Sequence, residues 1–262
     1  MVDLKEITDI IEKIAPLESQ EDWDNSGWQI RLGNEKVSRV LTALELNQEV
    51  AEEAISEKVQ LIVCHHPLIF GGIKKVDDKT VIGNIICSLI AHGISVYATH
   101  TPFDKCEGGN NDYLAQLLGL DEIQTIPGDE SGICRMGTLK TPQTAGRLAA
   151  DFASKTGQDC RIYRCVGDGE AAVTKVGICT GAGAEFFRMA AAAGCKLFVT
   201  GDVKYHEAQH ARELGIVLLD LGHFGSEQIF AENMASLLRN ALGEHVEILE
   251  SEINLNPFTV ME

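Results

Sequence analysis

Short apolar runs alternate with amphipathic stretches along nearly the whole chain. Val37–Leu46 reads as a strand, and Gln48–Val59, rich in Ala and Glu, as a helix. Leu61–Cys64 is a brief, wholly apolar run of the kind that fills a sheet buried on both faces. The pattern then predicts a helix over Val81–His92, a strand over Ile94–Ala98, and a helix over Asn111–Leu118 that closes at Gly119. Beyond this the rhythm restarts with a strand over Cys134–Leu139. Thr141-Pro142 reads as an N-cap followed by proline at the first helical position, opening a helix to about Lys155 that stops at Gly157. Strands are expected at Arg161–Val166 and Lys175–Cys179, a helix at Ala184–Ala193, and a strand at Leu197–Thr200. A helix over Val203–Leu214, a strand over Ile216–Leu221, a long helix from Gly225 to about Leu242 and a strand over Val246–Glu250 complete the series. Repeated β-α-β-α alternation specifies an α/β architecture. Asp121–Gly132, with a Pro-Gly pair among acidic residues, is the best boundary. It divides the chain into two α/β domains, 1–125 and 126–262, with the C-terminal segment able to pack back on the first. No internal repeat or low-complexity linker is visible.

Composition narrows the function classes. The chain carries 39 acidic against 22 basic residues, a net charge of −17, which disfavours nucleic acid and anionic lipid as partners. The acid is concentrated at the ends: residues 1–60 hold 14 Asp and Glu against 6 Lys and Arg, a pattern of a solvated surface. No apolar run reaches the ~18 residues of a membrane span, and Met-Val-Asp-Leu-Lys-Glu lacks the basic-then-apolar layout of a signal peptide. The eight cysteines form no CxxC pair, and several, such as Cys64 and Cys179, lie in strand-like runs. They are expected to be buried free thiols in a reduced cytoplasm.

The chemistry concentrates at strand ends, where α/β sheets place their ligands. Cys64-His65-His66-Pro67 puts adjacent histidines at the end of a buried strand. Neighbouring side chains on a strand point to opposite faces, so the backbone at Pro67 would have to re-aim one of them. The next strand ends in Thr99-His100-Thr101-Pro102-Phe103-Asp104, and the strand at Ile216–Leu221 ends in Gly222-His223-Phe224-Gly225-Ser226-Glu227. Three strand ends thus carry His-His, Asp and His-xxx-Glu, nitrogen and oxygen donors sufficient for a divalent metal site, even for two ions.

Two other motifs compete. His206-Glu207-Ala208-Gln209-His210 matches the HExxH signature of zinc peptidases on a predicted helix, with Glu227 as a conceivable third ligand. That helix is a short connection between two buried strands, which tells against the peptidase. Gly181-Ala182-Gly183 lies between a strand and a helix, as in a phosphate-binding turn, but Phe186 replaces the last glycine of GxGxxG, so a tight turn is the better reading.

Taken together, these segments resemble the Nif-three-like family, whose bacterial and archaeal members are labelled GTP cyclohydrolase I type 2 homologues. The resemblance spans nearly the whole chain. It rests on Trp23-Asp24-Asn25-Ser26-Gly27, Cys64-His65-His66-Pro67, His100 to Asp104, Gly109-Asn110-Asn111-Asp112, Gly181-Ala182-Gly183, Gly201 to His206, and Gly222 to Glu227. It implies two α/β domains of related architecture, a dinuclear metal centre in the cleft, and a ring-shaped homohexamer. By the same resemblance, His66 and Asp104 are ligands of one ion, His65 and His223 of the other, and Glu227 bridges them. The ions would be two of Zn, Mn, Fe, Ni or Co. Thr-Pro-Phe-Asp departs from the family's more usual His-Thr-Asn-Leu-Asp wording, but Asp104 stands in place. Such a pair of ions can lower the pKa of a bridging water from ~15.7 towards ~7. The expected function is metal-dependent hydrolysis of a nucleotide or another phosphorylated small molecule, with His100 as the candidate for proton transfer. The alternative is a metal-binding scaffold or regulatory ring without catalysis.

Overall fold

Apolar runs that are too short for helices and lack polar alternation become central parallel strands. The computed structural model, which describes residues 1–33 and 36–260, shows where they go. The chain begins with β1 (Val2–Asp3), α1 (Leu4–Ile14), β2 (Gly27–Ile30), β3 (Lys36–Val37), β4 (Arg39–Ala43), α2 (Gln48–Ser56), β5 (Leu61–Cys64), α3 (Val81–Ala91), β6 (Ser95–Ala98) and α4 (Thr101–Lys105). It continues with α5 (Asn110–Leu117), β7 (Leu120–Thr125), β8 (Arg135–Gln143), α6 (Ala145–Thr156), β9 (Arg164–Val166), β10 (Val173–Ile178), α7 (Phe187–Ala192), β11 (Leu197–Thr200), α8 (Tyr205–Leu214), β12 (Val217–Asp220) and α9 (His223–Glu227). It ends with α10 (Phe230–Leu242) and β13 (Glu247–Glu250).

These elements form two compact units, both α/β. The first comprises Met1–Cys106 and Phe230–Leu255, and the second is built mainly from Glu107–Ile229. The breaks fall at 106/107 and 229/230 rather than within Asp121–Gly132. That segment misled because its first half is an exposed edge strand: β7 pairs antiparallel with β8, Leu120 opposite Leu139, while most of its side chains face solvent. A polar edge strand has the composition of a linker.

In the first unit, a five-stranded sheet runs β13-β4-β5-β6-β2, with only β2 antiparallel to its neighbour. Every residue of β5 and β6 is buried. Leu41, Ala43, Ile62, Cys64, Val96 and Ala98 pack against Val50 and Ala54 of α2 and Ile85 and Leu89 of α3. On the opposite face, the Thr42 hydroxyl donates to the Ala231 carbonyl of α10 (2.8 Å), and the Tyr97 hydroxyl donates to Glu12 of α1 (2.8 Å).

The second unit holds a six-stranded sheet, β7-β8-β10-β11-β12-β9, whose β10, β11 and β12 are parallel. The start of α6 differs from expectation. Pro142 lies inside β8, and the cap is Thr144, whose side chain accepts from the Arg147 amide. The missing N–H of Pro142 is tolerated because the β8–β10 register shifts between Lys175↔Thr138 and Val173↔Gln143, an irregular stretch of the ladder. The long helix expected over Gly225–Leu242 is also two helices, α9 and α10, with the passage between units in the break. Ala184–Ala193 opens with a turn of 3-10 helix before α7, and Arg161–Val166 is strand only from Arg164.

Candidate metal centre

β5 and β6 are parallel neighbours in register, Cys64 opposite Ala98, so their C-terminal ends are level. Beyond Cys64 the backbone bends: the amides of His65 and His66 both reach the Leu44 carbonyl, at 3.1 and 2.9 Å. The bend cancels the strand alternation, and the rings of His65 and His66 lie 5.2 Å apart. His65 is fully buried, its Nδ1 3.0 Å from the Thr99 carbonyl. A carbonyl only accepts, so Nδ1 carries a proton, and the ring turns Nε2 toward Asp104 Oδ1, 3.5 Å away. Asp104 itself is set by α4, where the His100 carbonyl accepts from the amides of Phe103 and Asp104.

His100 is held from the other side. Its Nδ1 lies 3.0 Å from Asp24 Oδ1, and its amide donates to the Ser26 hydroxyl. Asp24, whose side chain has no solvent exposure, also accepts from the Thr101 amide, the Thr101 hydroxyl (2.6 Å) and the Ser26 hydroxyl (2.9 Å). Burial alone would push its pKa up. The bonds from His100, Thr101 and Ser26, with the attraction of His100, outweigh it and hold the carboxyl well below the usual carboxylate range. His66 places Nδ1 3.4 Å from Glu45 Oε2. One ligand atom each of His65, His66 and His100 lie within 4.8 Å of one another, so this group can hold a metal ion.

In the second unit, the level ends of β10, β11 and β12 lead into Gly181, Asp202 and His223. His223 Nδ1 bonds Asp202 Oδ2 at 2.8 Å, and Nε2 faces Glu227 Oε2 at 3.0 Å, one helical turn further on. Asp202 adopts a left-handed conformation (φ 53°), a strained choice that aims its carboxylate at the imidazole. Glu227 is only 3% exposed. Gly181 makes room for it: a Cβ there would sit 2.1 Å from Glu227 Oε1. The Gly181 amide is in turn anchored on the Ser226 hydroxyl at 2.9 Å. Gly181-Ala182-Gly183 is therefore a turn whose glycines give clearance.

All four of these histidines show one pattern. Nδ1 is engaged by a carbonyl or carboxylate oxygen, which orients the ring and turns Nε2 the other way, toward Asp104 in His65 and toward Glu227 in His223. The buried Asp104 and Glu227 add harder oxygen donors. Cys64 does not join them, because burial pushes its thiol up to about 12. Nitrogen and oxygen donors with oriented imidazoles fit a divalent transition metal. Nothing in the sequence marks Asp24, Glu45, Asp202 and the Thr99 carbonyl as bracing partners, although Asp24 lies in the Trp-Asp-Asn-Ser-Gly segment that carries part of the family resemblance.

The HExxH motif lacks this pattern. Glu207 is spent on the Lys204 amide as a helix cap (2.8 Å), and the Arg188 guanidinium occupies His210 Nδ1 at 2.7 Å. Among the described residues, neither His206 nor His210 belongs to a group of three that can hold a metal. The cysteines are all free, but only Cys64, Cys134, Cys179 and Cys195 are buried; Cys87, Cys160 and Cys165 are exposed. Among the described residues no helix is long and apolar enough to cross a membrane.

A two-unit α/β chain with histidines and carboxylates at the ends of its parallel strands defines the class, and comparison with known proteins identifies it. Residues 2–257 match the model of the Duf34/NIF3 (NGG1p interacting factor 3) family, and the chain belongs to that family. It is 33% identical over 259 residues to a GTP cyclohydrolase 1 type 2 homolog of Clostridium perfringens, covering 97% of this chain and 98% of the relative. It is also 33% identical over 244 residues to a Helicobacter pylori protein named GTP cyclohydrolase 1 type 2, covering 90% and 92%. Among solved structures, the Staphylococcus aureus hypothetical protein SA1388 superposes with a TM-score of 0.90 at 28% identity, covering 99% of both chains. A Bacillus cereus protein related to NIF3 superposes equally well (TM-score 0.90, 99% of both chains) at 23% identity, which speaks to the fold alone.

Proposed function

We propose that this protein is a dinuclear metal-dependent hydrolase acting on a nucleotide or another phosphorylated small molecule. The observation that carries the reading is the shared bracing of His65, His66, His100 and His223 through Nδ1, an arrangement that suits ligation or proton transfer at Nε2. In this reading, His65, His66, Asp104, His223 and Glu227 are the residues that would hold two divalent ions. Divalent ions supply Lewis acidity and bring the pKa of a coordinated water from ~15.7 towards ~7. His100, oriented by Asp24, accepts and returns the proton at Nε2. The substrate class rests on the names of the relatives, including the Helicobacter pylori protein. Assembly as a homohexamer and residence in the reducing cytoplasm, which suits eight free cysteines, belong to the same proposal.

The test is turnover of a nucleotide panel by metal-loaded, chelated and reloaded protein, with bound metal quantified alongside. Hydrolysis lost on chelation and restored by Mn²⁺, Fe²⁺ or Zn²⁺ is the expected result. Full metal occupancy with no turnover of any compound would replace the hydrolase with a metal-holding scaffold.

A further inference from the structure

Beside the first unit's histidines lie two large aromatic side chains that the fold leaves in solvent. Trp23 is 57% exposed and Phe70 53%. Their ring centroids are 5.9 Å apart with a 39° tilt, and both approach the ring of His100, Trp23 at 5.7 Å and Phe70 at 6.0 Å, each nearly edge-on. Single exposed aromatics are ordinary. This pair is not single, and it is not loosely placed.

Buried polar groups fix both rings. Gln29, 9% exposed, donates from Nε2 to the Asn25 carbonyl (2.8 Å) and accepts at Oε1 from the Ile69 amide (3.0 Å). Asn25 Nδ2 in turn donates to the Ile69 carbonyl. The loops bearing Trp23 and Phe70 are thus tied to one another. Asp24, next to Trp23 in sequence, is tied to His100. The fold spends three hydrogen bonds, two of them partly buried, on the loops that hold two flat apolar faces in water beside the histidines. Such faces favour offset stacking or edge-to-face contact with another π-system.

We propose that Trp23 and Phe70 form a stacking platform for a planar heteroaromatic ring, such as a nucleobase, on the ligand that reaches the His65–His66–His100 cluster. The inference rests on the functional reading above and names the residues that select its substrate. Asp24 and Asn25 follow Trp23 in the chain, and the His100 ring lies edge-on to both aromatics, so the two faces, 5.9 Å apart, match one planar ring system held beside polar groups. Stacking reads the π-face rather than base edges, so the platform accepts purines and pyrimidines alike, the larger ring more tightly.

The chain has two tryptophans, so replacing Trp28 with Phe leaves Trp23 as the sole indole reporter. In that background, guanosine monophosphate and adenosine are expected to quench Trp23 fluorescence saturably, and ribose 5-phosphate to leave it unchanged. Trp23→Leu together with Phe70→Leu should weaken guanosine monophosphate binding by about ten- to a hundredfold, followed by calorimetry, with bound metal and ribose 5-phosphate affinity unaltered. Trp23→Phe should restore most of the lost affinity. Running the titrations on metal-loaded and chelated protein separates the two readings. Quenching by adenosine without any metal retention would sink the metal centre and keep the platform. Full metal occupancy with no ring-dependent quenching would overturn the platform alone. A double variant that binds guanosine monophosphate like the parent, or that changes the oligomeric mass instead, also overturns it.

Discussion

The two units present histidine and carboxylate by different means. In the first, the brace is interior: Asp24 has a fully enclosed side chain, His65 is buried, and the Thr99 carbonyl belongs to the end of a central strand. In the second, the brace is at the surface, since the His223 side chain is 38% and that of Asp202 51% exposed, with the backbone of Asp202 strained. Only Glu227 is sunk there, beneath the clearance left by Gly181. Burial makes the first cluster preorganised and sensitive to any change in its supports. The second depends on close backbone approach, so it should tolerate polar changes and fail on steric ones.

Removing a donor should have the largest effect. His65→Ala takes away an imidazole that no water-exposed neighbour can replace, and metal affinity should fall by more than the ~10–100-fold typical of losing a bracing partner. Bound metal after dialysis against a graded chelator measures this. An affinity within threefold of the parent would remove His65 from the ligand set.

Gly181→Ala should come next. The added methyl meets Glu227 Oε1 at 2.1 Å, in a backbone conformation (φ 63°) that costs a residue with a Cβ about 1–3 kcal/mol. Since Glu227 is too buried to swing clear, the expected outcome is a folded protein with metal affinity lowered by about an order of magnitude. The polar change Asp202→Asn keeps an acceptor oxygen for His223 Nδ1 and should cost less. Equal losses from the two would mean that the second unit is no more steric in its demands than the first.

Much of this architecture is legible in the sequence, and the exceptions have physical causes. Leu61–Cys64 and Leu197–Thr200 have the residue ranges that their apolar runs specify, because a strand buried on both faces leaves no ambiguity of period. Leu120–Thr125 escaped because an edge strand needs no apolar alternation, and β2 (Gly27–Ile30) because it lies in a turn-rich segment. The strand-end histidines were visible as candidates, since residue type and position carry that information. Asp24 and Asp202 were not, because a brace is defined by which side chain it meets 76 or 21 positions away.

The enclosed Asp24 offers a sharper contrast through pH. Its folded pKa lies below the usual carboxylate range, so its stabilisation is full above the unfolded value of ~3.9 and disappears as pH falls through the lower folded value. Asp24→Asn in chelated protein should therefore cost roughly 1.5–3 kcal/mol at neutral pH, the worth of hydrogen bonds to a buried charge. The gap between variant and parent in urea unfolding should persist to about pH 4 and narrow below it. A gap that closes already above pH 5 would remove the Asp24 carboxylate as its source.

The smallest effect is a difference in rate that leaves activity untouched. Cys64 lies within β5 under the first cluster, and Cys179 just past the end of β10 under the second, their exposures 0% and 2%. Both should label far more slowly with a thiol reagent than the exposed Cys87, Cys160 and Cys165. Between the two, Cys179 should react first. It stands outside the strand, its amide bonded to the Val199 carbonyl and its thiol against that of Cys134, whereas Cys64 is paired in register between β4 and β6 and its thiol is pushed up to about 12. Site-resolved mass spectrometry of a labelling time course gives the order. If Cys64 leads, the first unit opens more readily than the second, and the contrast between an interior brace and a surface one loses its dynamic consequence.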